Sequence, residues 1–203
     1  VQLLGVWEEL NNGYKPEDKG YAHHMAESTK RAFAMRAKGL GDPDHAQVDR
    51  MRFTAPRVIK ELARQVRAAK RATPAKSIGQ VVVRPTERTD TSHFGVLLTN
   101  GDAVACTQTI NLMFGSGLVA GETGVVLNNE MDDFSALPGA PNAFGLVGDE
   151  ANSIAPGKRP LSSMTPTLVL KDGKTVGVFG SPGGSRIITA TYQSILNVIE
   201  HGW

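Results

Sequence analysis

Hydrophobic periodicity changes character once along this 203-residue chain, near residue 91, and the change restricts it to a mixed helix and strand fold. Before that point apolar side chains recur at helical spacing. Residues 1–12 set Val1, Leu3, Leu4, Trp7 and Leu10 near one helical face, with Asn12-Gly13 as a stop. Residues 20–38 repeat the pattern with Tyr21, Met25, Thr29, Ala32, Phe33 and Arg36, and Gly41-Asp42-Pro43-Asp44 reads as a turn. A third helix is expected over 54–71, with Thr54 as N-cap and Val58, Leu62 and Val66 on one face. Residues 72–90 place polar and turn-forming residues around one short apolar run, and read as an exposed linker.

From Ser92 the pattern is that of strands. HFGVLLT, the turn signal Asn100-Gly101 and AVACTQTINLMF read as a hairpin, with Thr107, Thr109 and Asn111 on one face by period two. FGSGLVAGETG carries Gly115, Gly117, Gly121 and Gly124, but it misses the GxGxxG spacing and the βαβ setting, so a dinucleotide site is rejected. GVVLNNEMDD reads as a short strand ending in Asn128, Asn129, Glu130, Asp132 and Asp133. That set is oxygen-rich enough for Ca²⁺ but lacks EF-hand spacing. Residues 135–161, rich in Pro, Gly, Ala and Asn, suggest a long ordered loop over a site. TLVLKDGKTVGVFG reads as a second hairpin turning at Asp172-Gly173, and Ser181-Pro182-Gly183-Gly184-Ser185-Arg186 runs into a helix over 185–200. A Gly-Gly pair opening a helix is either a plain turn or a display of free backbone N–H groups.

Composition removes several classes. The length suits one good core or two small ones. A mean hydropathy of −0.19 is that of an ordinary globular protein, and no run approaches the roughly 18 apolar residues of a membrane span. Val1-Gln2-Leu3-Leu4 begins inside a helical pattern with no basic leader, which suggests an excerpt of a longer protein. The lone Cys106 allows no intrachain disulfide and no multi-cysteine metal site, and reads as a buried structural thiol. Residues 1–90 carry 17 basic against 11 acidic side chains, or +6, whereas residues 91–203 carry 5 against 9, or −4. An acidic second half argues against nucleic-acid binding there, and the asymmetry suits two segments of opposite sign packing together. The basic run Arg57, Lys60, Arg64, Arg67, Lys70, Arg71 has no interleaved aromatic residue for base stacking, and reads as a solvated helix face. His23-His24 point in different directions on a helix and make a poor chelate.

Five motifs then occur in one order: Thr91-Ser92-His93, TQTIN, LNNEMDDFS, KRPLSSM and SPGGSR. Together they resemble the small-subunit half of the gamma-glutamyltranspeptidases, which are N-terminal nucleophile hydrolases. Residues 1–90, above all GYAHHMAESTKRAFAMRAKGLGDPD, are similar to the end of that family's large subunit. The resemblance implies an α+β fold, an αββα sandwich incomplete in this excerpt. Residues 1–71 would be the helical end of the large-subunit region, 72–90 a linker with the processing site between Asp90 and Thr91, and 91–203 the small-subunit catalytic region. Ser92 stands where many relatives carry Thr. The family's large subunit also supplies an Arg for the substrate carboxylate, and no residue here is assigned to it.

The implied chemistry suits the residues. A Thr hydroxyl is a weak nucleophile and needs an adjacent base. Once the Asp90–Thr91 bond is cut, the α-amine of Thr91 is that base; before the cut it is an amide nitrogen and accepts no proton. By resemblance Thr109 orients the nucleophile. Asn111, Glu130 and Asp133 hold the substrate α-ammonium, Ser162 and Ser163 donate to its α-carboxylate, and the N–H groups of Gly183 and Gly184 form an oxyanion hole. The implied enzyme is an autoprocessed γ-glutamyl transferase/hydrolase without cofactor or metal. It would act on glutathione and other γ-glutamyl compounds and pass the acyl group to water, amino acids or dipeptides. Its large and small subunits would form a heterodimer from one precursor, in a periplasmic or extracellular location. A related cephalosporin- or glutaryl-type acylase and a non-enzymatic fragment are the alternatives. Retained Asn111, Glu130 and Asp133 argue against the acylase, whose substrates lack an α-ammonium.

Overall fold

Pro56 divides the helical first stretch. In the computed structural model, which describes residues 1–10, 13–78, 90–142 and 145–203, helices α1 (Gln2–Leu10), α2 (Lys19–Gly39), α3 (Arg50–Thr54) and α4 (Pro56–Ala68) replace the three expected. A residue before proline is pushed out of helical geometry, and Ala55 is extended with φ −59° and ψ 134°. Thr54 therefore ends α3 instead of capping the next helix, and Pro56 takes the first position of α4, where its missing N–H is harmless. Asp49 caps α3 by accepting the Arg52 N–H at 3.1 Å.

Contacts gather into two units that do not follow chain order: Val1–Arg84 with Phe134–Leu161, and Pro85–Asp133 with Ser162–Trp203. In the first, α1 buries Leu3, Val6, Trp7 and Leu10, the strict three-four spacing of one helix face. Val1 lies before the helix and is 90% exposed, so it leaves the expected stripe and Val6 joins it. Trp7 meets Tyr21 of α2 edge-on at 4.8 Å, and Leu62, Ala63 and Val66 of α4 complete the core. The basic run on and just after α4 is exposed, as expected, at Arg57, Lys60, Arg64, Arg67, Lys70 and Arg71. Arg67 also donates to the Glu9 and Leu10 carbonyls that close α1, a favourable place for a cation.

The α2 face holds a group that periodicity did not reveal. Glu27 is fully buried. It accepts hydrogen bonds from Lys30 Nζ at 2.6 Å, Arg31 at 2.5 Å and the Thr73 N–H at 2.9 Å. Burial pushes its carboxyl up, but the donors Lys30, Thr73 and Arg31 outweigh that and hold it at about 2, below the ordinary 4.5. A depressed carboxylate stabilises the fold fully above the unfolded value and loses that contribution as pH falls through the folded one. Acid should therefore weaken this helical unit between pH 4.5 and about 2. Glu27→Ala, which leaves Arg31 buried and unpaired, should cost about 3 kcal/mol and abolish that acid-linked loss; urea titrations at pH 7 and pH 3 would read both.

In the second unit, β1 (Ser92–Leu97) pairs antiparallel with β2 (Ala103–Gln108), and β3 (Thr167–Lys171) with β4 (Lys174–Phe179). Asp172 and Gly173 both have positive φ, 51° and 76°, as a two-residue turn of type I′ requires. β2 stops at Gln108, so Thr109 and Asn111 do not continue its face. Thr109 Oγ1 accepts the Asn111 N–H at 2.9 Å, and Asn111 turns the chain with φ 78°. The expected strand before Asn128 is reduced to a Val119–Val126 bridge followed by a 3-10 turn at Glu130–Asp133. The last helix, α5 (Ile187–Ile199), follows a 3-10 turn at Gly184–Arg186 and buries Ile187, Thr191, Tyr192, Ile195 and Leu196. Cys106 is half-buried rather than buried, because β2 is covered on one side only.

Residues 135–161, expected as a loop over a site, find their partners with Phe134 in the helical unit. The ion pairs there that link residues on opposite sides of position 90 run against the bulk charge asymmetry: Asp42 and Asp44 come from the basic half and Arg159 from the acidic half.

Candidate active site

Strand register sets the site's geometry. The last ladder pair of the first hairpin is Ser92–Gln108. Thr91 directly precedes β1 and Thr109 directly follows β2, so both adjoin that last ladder pair. At the next pair inward, His93 and Thr107, the imidazole Nδ1 stands 2.8 Å from Thr107 Oγ1. The same ring covers Gly180, where an added Cβ would stand 2.1 Å from His93 Cε1. Only a residue without a side chain allows that approach. Gly180 follows β4 directly, so the start of β1 meets the segment leading to Gly183 and Gly184. Thr167 at the start of β3 pairs with Phe179 at the end of β4, which puts Ser162 and Ser163 before that same end of the second hairpin. Thr91, Thr109 and the segment leading to Gly183 and Gly184 thus adjoin one end of the two hairpins, Ser162 and Ser163 come shortly before β3 in the chain, and the turns at Asn100-Gly101 and Asp172-Gly173 lie at the other end.

Asn111, 5% exposed, carries the site onward. Its Nδ2 donates to the Asn129 carbonyl at 3.0 Å, Asn129 Oδ1 accepts from the Leu112 N–H at 3.1 Å, and the Asn129 N–H donates to the Ile110 carbonyl at 3.2 Å. This exchange fastens the start of the Glu130–Asp133 turn beside Asn111. Asn129 Nδ2 also donates to Asp132 Oδ2 at 2.8 Å. Burial raises the Glu130 carboxyl above its ordinary range, and a hydrogen bond with Asp133 offsets part of that rise. Two carboxyls that share a hydrogen bond are complementary to a cation that brings its own donors. Among the described residues no group of three or more His, Cys, Asp or Glu is arranged to hold a metal ion.

Gly183 is buried, with φ 129° and ψ 26°, and its carbonyl accepts the Arg186 N–H at 2.9 Å. It opens a helical run whose first N–H groups have no acceptor within the helix. Ser162 is exposed, its Oγ accepting the Met164 N–H at 3.0 Å, and Ser163 is half-buried. Thr91 and Asp90 are half-buried, and Asp90 Oδ2 is enclosed with no hydrogen-bond donor among the described residues. Sequence alone assigns no role to His93 or Gly180, and names Asn129 only within an oxygen-rich set, whereas in the structure His93 packs on Gly180 and Asn129 holds Asn111. His93 was legible only as part of Thr91-Ser92-His93, and Gly180 gave no signal without the packing.

Comparison with known proteins agrees on the family. The sequence model of gamma-glutamyltranspeptidase matches residues 1–203. The glutathione hydrolase proenzyme of Escherichia coli is 51% identical over 205 residues, covering 100% of this chain and 35% of its own length. That of Pseudomonas aeruginosa is 45% identical over 204 residues, covering 98% and 36%. The chain thus spans about a third of the length of these curated relatives. A crystal structure of a Helicobacter pylori gamma-glutamyltranspeptidase mutant superposes with a TM-score of 0.53 at 55% identity, covering 55% of this chain and 60% of that one. Cephalosporin acylase from Bacillus halodurans superposes with a TM-score of 0.70 over 100% of this chain and 34% of its own, but at 22% identity it shares the fold alone. With its whole length matched and its motifs in order, this chain belongs to the gamma-glutamyltranspeptidase family.

Proposed function

We propose that the parent protein is an autoprocessed threonine-nucleophile enzyme that cleaves the γ-glutamyl amide of glutathione and related compounds. The observation that supports this reading is that Thr91 and Thr109 flank the last ladder pair of the first hairpin, at the end where His93 packs on Gly180, three residues ahead of Gly183 and Gly184. In the processing step, Thr91 Oγ attacks the Asp90 carbonyl carbon and the bond to the Thr91 nitrogen breaks. Water then hydrolyses the ester, freeing the Asp90 carboxylate and leaving Thr91 with a hydroxyl and an α-amine. In turnover, the α-amine takes the hydroxyl proton as Oγ attacks the γ-carbonyl. The Gly183 and Gly184 N–H groups stabilise the oxyanion, and the leaving amine departs with that proton. Water or an acceptor amine then releases the γ-glutamyl group from Oγ, in ping-pong order.

The half-exposed apolar side chains on both hairpins, Phe94, Val96, Val104, Leu170 and Val176 among them, support the finer proposal that these strands belong to an αββα sandwich completed by the rest of the parent. The processed large and small subunits would form its heterodimer. The family resemblance extends the proposal to amino-acid and dipeptide acceptors and to a periplasmic or extracellular location.

The test is turnover by the purified full-length protein. γ-Glutamyl-p-nitroanilide should be hydrolysed at least about 100-fold faster in kcat/KM than glutaryl-p-nitroanilide, because the latter leaves the Asn111, Glu130 and Asp133 groups without their ammonium. Equal rates, or a preference for the glutaryl amide, would favour the acylase and overturn the reading. A pH series adds a second expectation. Below the raised Glu130 pKa the carboxyl is neutral and the ammonium loses a counter-charge. KM for the γ-glutamyl substrate should therefore begin to climb at a pH above the usual glutamate range, and Glu130→Gln should raise KM at neutral pH and flatten that climb.

A further inference from the structure

The helical unit is assembled from both sides of the proposed scission. Residues 134–161 lie after the Asp90–Thr91 bond, yet they are built into the unit formed by residues 1–84. Phe134 is 2% exposed. The Asn152 carbonyl accepts the Ser135 N–H at 2.9 Å, and its Oδ1 accepts the Leu161 N–H at 2.9 Å. Gly41 lies so close to Ala151 that an added Cβ would stand 1.9 Å from its carbonyl oxygen.

The centre of this seam is Asp42, whose side chain is 1% exposed. Its Oδ2 accepts the Arg159 backbone N–H and Nε, both at 2.9 Å. Its Oδ1 accepts the same guanidinium at 2.6 Å and the Asp44 N–H at 3.1 Å. The Arg159 guanidinium also reaches Asp44 Oδ2 at 2.5 Å. The Arg159 bonds hold the Asp42 carboxyl far below its ordinary range. A backbone N–H and a two-pronged guanidinium on one enclosed carboxylate fix both the strength and the register of the join.

We propose that this node and the 134–161 segment form the interface by which the C-terminal product of scission stays seated in the N-terminal product, with Asp42 and Arg159 as its tie. Its role between two separate chains rests on the processing reading above; its role as an interface between the two pieces does not. The partner surface is therefore specific: an Asp-centred turn after α2, on the piece ending at residue 90.

The test uses the full-length parent in two forms. One is the wild type. The other carries Thr91→Ala and a protease site replacing residues 84–89, so that the cut is made in vitro. Size-exclusion chromatography in a urea series, with denaturing gels of the fractions, reads when the two pieces separate. Both forms should co-elute as a pair without urea. Arg159→Ala should raise the dissociation constant of the pair at least tenfold in either form, and Arg159→Lys should fall between. Circular dichroism of the uncut Thr91→Ala, Arg159→Ala protein should keep its helix signal, which separates a lost tie from a lost fold. Pieces of Arg159→Ala that part at the same urea as the unsubstituted pair would overturn the proposal. So would pieces that separate without urea before any substitution. A wild type that stays one band on a denaturing gel would instead defeat the processing reading, and the protease-cut form would still decide the tie.

Discussion

In the full-length parent, Thr91→Ala is expected to run as one uncut chain and to lose at least about ten-thousand-fold in kcat/KM toward a γ-glutamyl amide. The methyl that replaces the hydroxyl can attack neither the Asp90 carbonyl nor a substrate carbonyl. Both reactions need the same oxygen, so both should vanish together. Two controls separate them. Thr91→Ser keeps an oxygen on the same carbon and should still be cut and active. Thr91→Ala cut in vitro directly before residue 91 should have a free α-amine and remain inactive, which would show that the hydroxyl serves turnover as well as processing. Retained turnover in either alanine form would remove Thr91 from the mechanism.

Gly183→Ala should give the second largest effect, a fall of about 10²- to 10³-fold in kcat with KM little changed. Room is not the issue: an added Cβ at residue 183 would stand 3.7 Å from Arg186 Cβ, an ordinary contact. The backbone is. With φ 129°, Gly183 sits where an L-residue is strained by about 1–3 kcal/mol, and relaxation swings the peptide N–H away from the position where the oxyanion forms. Donors that act on charge developing in the transition state alter kcat more than substrate binding. An unchanged kcat, or a loss confined to KM, would contradict an oxyanion role. Conversely, Gly180→Ala would act by displacing His93 and hence the start of β1.

How much of this was legible in the sequence depends on the kind of signal. Hairpins announced themselves, because Asn100-Gly101 and Asp172-Gly173 are local turn chemistry between strand formers. The 21-residue α2 was legible in extent, but its buried face was not: Glu27 and Arg31 are polar letters that become interior only because Thr73 and Lys30 satisfy them. The break at Ala55 is written in Pro56, and the apolar spacing that runs across it masks it. Thr109 and Asn111 do not form the strand face that period two suggests; beyond Gln108 the Asn111 N–H bonds to Thr109 Oγ1 instead. Residues 134–161 have no periodicity that points to a partner, and their place beside α2 depends on a carboxylate and a guanidinium separated by 117 positions. Site residues came from ordered motifs, whereas the contacts around them, His93 against Gly180 and Asn111 bonded to Asn129, are tertiary facts.

The most direct test is the intact mass and N-terminal sequence of every chain in purified full-length protein that turns over a γ-glutamyl amide. A smaller chain beginning Thr-Ser-His-Phe, in amounts that track activity across preparations, is the predicted result. Fully active material in which Thr91 is still bonded to Asp90 would contradict the account.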